Sequence, residues 1–181
     1  MSRIAFRGLT TNEWNDRNVQ KVLQFYLFES PVPGTSRAGK CFSELGWKGS
    51  YFSTLKAQLL HLADDSFAYI PCIKDKLPEA LAARPPAKAQ QEYAVFLKHD
   101  ERRVIESLFR AIRNSIAHGS FSRYTRNKCV YYYFENEDGY VKARINVKEK
   151  TLLEWAKAVN EDPETVRLRL NNRKPKTRHR K

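Results

Sequence analysis

The stretch ESLFRAIRNSIAHGSF, from Glu106 to Phe121, gathers the side chains of this chain best suited to chemistry. Arg113 carries a planar guanidinium that can hold a phosphate through two parallel hydrogen bonds. His118 follows after four intervening residues, and an imidazole can take up and return a proton near neutral pH. Asn114, next to Arg113, can orient His118 or a bound chain. Glu106, two helical turns before Arg113, is a neighbouring carboxylate able to support the guanidinium. A cation and a proton shuttle are what phosphate chemistry asks of a protein. The plainer reading is a histidine at a helix C-terminus acting as a dipole partner or cap, and an arginine that is only a solvated charge.

These residues need a helix to position them, and the sequence supplies one. With Ile112 set at zero and a turn of ~100° per residue, Ile105, Leu108, Phe109, Ile112 and Ile116 fall in a sector of about 100°, a stripe made for burial. Arg113 sits on its shoulder, close to Arg102 and Glu106, and Asn114 points away from it. His118 falls about 140° from Arg113 if the helix continues, too far for both to reach one phosphate. Gly119 is expected to make a left-handed stop that turns His118 out of register. The polar face of Asn114 and His118 has no expected partner in the same chain, so pairing with a second copy through an isologous contact is the other way to complete a site.

RNSIAHG resembles the signature of the HEPN superfamily: Arg-Asn, three residues, His, preceded by an apolar helix and here followed by Gly. The resemblance covers roughly residues 10 to 121. It implies a small helical bundle that cleaves RNA without metal or other cofactor, usually at a two-fold dimer interface. Arg113 and His118 would be its catalytic pair, with Asn114 and Glu106 in support. Members include RNase toxins and phage-defence nucleases, so an antitoxin or defence-system protein is an implied partner beside RNA and a second copy. RNA brings its own nucleophile, the 2′-hydroxyl, and the implied product is a 2′,3′-cyclic phosphate. Toxins governed by a nucleotidyltransferase antitoxin carry a Tyr two residues after the His for modification with AMP; this chain has Ser120 there. The alternative is a non-catalytic, dimeric helical module whose Arg113 and His118 only bind nucleic acid or a nucleotide. A third is an interaction protein in which the Arg-Asn pair is structural.

Composition is compatible with these readings. The 181 residues suit one domain with a core of its own, and the formal charge of +13 favours polyanionic partners. Cys41, Cys72 and Cys129 are odd in number and far apart, which argues against a disulfide framework or a zinc site. Without a membrane span or signal segment, a cytoplasmic protein is expected.

The remaining elements are read as a mainly α fold: an antiparallel bundle of about four to five helices, with a C-terminal β-hairpin insert and a further helix. A first helix begins at Thr10, which stands in capping-box spacing with Glu13, and ends before Ser30. Residues 30–49 read as a long loop. A second helix carries Phe52, Leu55, Leu59 and Leu62 and can run on toward Tyr69. Ile73 to Ala83 is a short helix. A third long helical region starts near Gln90, with Tyr93, Phe96 and Leu97 apolar, and passes through a kink at Asp100 into the motif helix. The hairpin spans about 128–147 around the turn Asn136 to Gly139. Tyr131, Tyr132 and Tyr133 lie in it, either stacking on bases or, for at least one ring, serving the core. A helix over about 151–161 starts on a second capping box, Thr151 with Glu154, and a further turn or two begins at Asp162-Pro163. One domain therefore covers 1–162, and 163–181 is a basic tail. From Arg167 onward there are eight Lys or Arg and no acid. Arg110 and the tail residues Arg173, Lys174, Lys176, Arg178, Arg180 and Lys181 are the expected phosphate contacts.

Overall fold

A computed structural model describes residues 6, 8–32, 40–83, 92–99 and 104–172. Asp100, Arg102, the Pro85-Pro86 region and tail residues 173–181 lie outside them. In chain order the elements are α1 (Thr11–Trp14), α2 (Arg17–Gln24, continuing as a π-helical turn Phe25–Glu29), α3 (Tyr51–Leu62), β1 (Ala68–Cys72), α4 (Leu77–Ala82, after a 3-10 turn), β2 (Tyr93–Leu97), α5 (Val104–Ala117), β3 (Phe121–Arg126), β4 (Cys129–Asp138), β5 (Tyr140–Lys148), α6 (Glu149–Val159) and α7 (Pro163–Asn171). The strands form one mixed sheet in the order β1-β2-β5-β4-β3, with β1 and β2 parallel and every other pair antiparallel.

The helical bundle is thus corrected to an α/β fold. The hairpin is no insert, since β4 and β5 are interior strands of the sheet. Two segments account for most of the difference. Tyr93–Leu97, expected to be helical, is β2, with Tyr93, Ala94, Val95 and Phe96 all buried because it lies between two strands and is covered on both faces. A short unbroken apolar run of this kind has no period, so helix and buried strand look alike in sequence. The second helix does not run on to Tyr69: it stops at Leu62, Ala63 is extended, and Ala68–Cys72 forms edge strand β1. Pro71 is tolerated there because an edge strand need not donate on both sides.

The main core lies on one face of the sheet. Ala94 and Phe96 of β2, Tyr132 and Phe134 of β4, and Ala143, Ile145 and Val147 of β5 meet the buried sides of α2, α3, α5 and α6. The stripe expected on α5 is the one that is buried, from Ile105 to Ile116. Phe109 stands at its centre, its ring 5.7 Å from Tyr26, 5.6 Å from Phe42 and 6.4 Å from Trp155. On the other face α4 covers Tyr93 and Val95 with Leu77 and Leu81, beside Cys72 of β1. All three tyrosines Tyr131, Tyr132 and Tyr133 are buried, so they are core and present no platform for bases.

Caps explain several boundaries. The box at Thr10 and Glu13 forms as expected, and Asp162 caps α7 with Pro163 in its first turn. The first helix is nevertheless two, because Asp16 caps a new start by accepting from the Asn18 N–H. The box at Thr151 does not form: α6 begins at Glu149, and the Thr151 hydroxyl donates to Glu92 at 2.6 Å. Glu92, fully buried, also accepts from the backbone N–H groups of Lys148 at 2.7 Å and Asp64 at 3.1 Å, tying β2 to α6 and to the end of α3. α7 packs on the body, with Val166 buried and Glu164 accepting from the Tyr51 hydroxyl at 2.6 Å, so the packed unit extends past residue 162. Among the described residues no helix is long and apolar enough to cross a membrane.

Candidate functional site

α5 crosses the sheet with its apolar stripe down, and its other side faces the outer end of the β4–β5 hairpin. Between them lies a cleft of about 250 Å³ lined by Ser107, Arg110, Ala111, Asn114 and His118 from the helix side. Asn136, Asp138 and Lys142 of the hairpin, with Leu97 and His99 at the end of β2, complete it. The polar face of α5 therefore has a partner in the same chain, which corrects the expectation that only a second copy could supply one. On the wheel used above, the five cleft residues of α5 fall within a sector of about 100° opposite the core stripe. Arg110, Asn114 and His118 stand at successive steps of four.

The end of α5 decides where His118 stands. The N–H of Ser120 reaches the Ser115 carbonyl at 2.8 Å and that of Gly119 reaches Ile116 at 3.0 Å, the paired bonds of a Schellman stop, with Gly119 at φ +69°. The stop is as expected, but its effect on His118 is not. His118 N–H still donates to the Asn114 carbonyl at 3.0 Å, so His118 keeps helical register and projects beside Asn114 into the cleft mouth. It is exposed, and its positive form lies close enough to Asp138 to act on it. Asp138 is held below its ordinary carboxylate value first by a hydrogen bond from Lys142 Nζ at 2.6 Å, then by the charges of Lys142 and His118.

The other motif residues are distributed differently. Arg113 is half-buried on the shoulder between core and cleft and does not line the cleft. Its Nη1 donates to Asn114 Oδ1 at 3.1 Å, while its buried Nε has no hydrogen-bond partner among the described residues. Asn114 thus couples Arg113 to the cleft. Glu106, expected beside Arg113, accepts from Arg110 Nη2 at 2.9 Å, one helical turn away; the i,i+4 geometry suits that pair. Arg110 is the arginine of α5 that faces the cleft. The structure thus brings His118, Asn114 and Arg110 together, with Glu106 behind Arg110 and Arg113 at the margin.

Sequence reasoning missed His99, Ser107, Asn136, Asp138 and Lys142. Ser107 was readable, since it shares the helical sector of Arg110, Asn114 and His118. Nothing in the sequence signalled that the hairpin's outer end would stand over α5. Tyr140 was also passed over: it is an exposed ring at that end, with Lys142 Nζ 5.4 Å from its centroid and Lys74 Nζ at 5.9 Å. Among the described residues no three His, Cys, Asp or Glu side chains cluster as a metal set would.

Fold and site together define a single-sheet α/β protein with a small polar cleft between one helix and one hairpin. Compared with family models, curated proteins and solved structures, the chain matches none of them.

Proposed function

We propose that the chain is an RNA endonuclease that needs no metal for its chemical step, acting through 2′-hydroxyl attack in the α5–hairpin cleft. The observation that carries this reading is the placement of His118 in one cleft with Asn114, Arg110 and Lys142. The 2′-oxygen bonds to the adjacent phosphorus as its proton is removed, the P–O5′ bond breaks, and the departing O5′ is protonated. The products are a 2′,3′-cyclic phosphate and a 5′-hydroxyl end. His118 is the group able to take or return a proton, a contribution of about 10²–10⁴ in rate. Lys142 neutralises the extra charge on phosphorus, and Arg113 assists through Asn114. Tyr140 offers a face on which a base can stack.

The toxin or phage-defence role, an antitoxin or defence-system partner, and a homodimer rest on the resemblance of RNSIAHG alone. A cytoplasmic location is our reading of the three separate, free thiols. Arg173, Lys174, Lys176, Arg178, Arg180 and Lys181 would add affinity for phosphates that weakens with salt.

The test is cleavage of single-stranded RNA in buffer with EDTA, comparing wild type with His118→Ala and Arg113→Ala, each checked for folding by circular dichroism. Wild type should cut and both variants should fail, and a substrate with 2′-deoxy at the scissile nucleotide should be inert. Full activity in His118→Ala, or cleavage of the 2′-deoxy substrate, overturns the mechanism. Binding without any cleavage by wild type identifies a binding module instead. Mixing the two inactive variants tests the dimer, because activity returns only if one site draws on two chains.

A further inference from the structure

The cleft is longer than one phosphate requires. Ser107 and His118 are eleven residues apart on one helical face, which at about 1.5 Å per residue makes a lining of roughly 16 Å. His118 stands at one end, near Asp138. His99 stands at the other, where its backbone N–H donates to Ser107 Oγ at 3.2 Å, and its exposed side chain lines the same cleft. Arg110 lies between, one turn from Ser107. Its guanidinium has five donors, and the bond to the buried Glu106 takes one while fixing the side chain in place. Ala111, a small residue on the helix wall, leaves room for a ligand backbone beside Arg110. Cation-forming groups are thus spread along the cleft, His118 and Lys142 toward the hairpin and Arg110 and His99 toward the end of β2, with Asp138 the carboxylate among the lining residues.

We propose that the His99 end of the cleft is a second phosphate subsite, in which Arg110 and His99 hold the phosphodiester next to the one at His118. The cleft therefore takes a strand with at least two phosphates and cuts inside it. This rests on the reading of the cleft as an RNA site, and it adds the register and minimum length of the substrate.

Binding can be measured without cleavage. The probes are the deoxy dinucleotide TpT and its derivatives bearing one extra phosphate at the 5′ or the 3′ end, titrated by calorimetry into the full chain. One of the two phosphorylated probes should bind about tenfold tighter than TpT, or more, as expected for added hydrogen bonds between charged groups. That gain should shrink to less than about threefold in His99→Ala and also in Arg110→Gln, whatever those changes do to TpT itself. Thermal melts of each variant guard against misfolding, and His99→Gln, which keeps a donor, should recover part of the gain. An equal gain in wild type and in folded His99→Ala overturns the subsite, as does the absence of any gain or of any binding. A chain that shows the gain yet cuts no RNA refutes the nuclease and leaves the subsite standing. A chain that cuts RNA with no gain refutes the subsite alone.

Discussion

Replacing Gly119 by Ala isolates the turn that ends α5 from everything else near the site. Gly119 has φ +69°, and a Cβ built there meets nothing within 4 Å, so the only cost is that of a left-handed backbone for an L residue. That cost is about 1–2 kcal/mol. For a domain of this size each kcal/mol lowers Tm by about 2–4 °C, so Gly119→Ala should melt roughly 2–8 °C below wild type. Gly119→Asn should fall between the two, since a short polar side chain tolerates this region better. Calorimetry with urea titration gives both numbers. With stability on the order of 5–15 kcal/mol, either variant remains overwhelmingly folded at assay temperature. Any large loss of RNA cleavage must then come from displacement of His118, the residue directly before the turn. The two Schellman bonds, from Ser120 and Gly119, hold the last turn that carries it. An unchanged Tm in Gly119→Ala would refute the strain argument. Normal cleavage despite the lower Tm would show that the stop does not position His118.

Two further outcomes concern the frame. Glu92→Gln replaces a buried carboxylate that accepts three hydrogen bonds, from Thr151, Lys148 and Asp64, with an amide that turns donors toward donors. It should cost about 2–4 kcal/mol, read as a urea midpoint shift; an unchanged midpoint would mean those bonds are replaced at no loss. Asp16 is held below its ordinary value of 3.8, chiefly by the Asn18 N–H, with burial opposing and the Arg123 charge helping. A depressed folded value means the stabilisation is complete above 3.8 and is lost as pH falls through the folded value. Asp16→Asn keeps a good cap and should flatten the acid-side fall in stability; parallel curves for wild type and variant would contradict the assignment.

Local physics is what the sequence could express. The buried stripe of α5, the glycine stop after His118 and the caps at Thr10 and Asp162 all follow from contacts a few residues apart, and each is present. Where pairing partners are distant, local pattern is silent. Tyr93–Leu97 became a strand because β1 and β5 lie on either side of it, and Thr151 left its local box because Glu92, 59 residues away, offered a stronger acceptor in a dry interior. The site divides the same way. His118, Asn114 and Arg110 share one helical face, and periodicity alone places them together. Asp138, Lys142 and His99 join them only because the sheet carries the hairpin and the end of β2 up against that face. The tertiary structure adds the pairing that holds Arg110 in place, its bond to Glu106, while Arg113 stays on the core shoulder and bonds Asn114. A helical wheel gives directions around one axis, and a cleft exists only once a second element stands opposite.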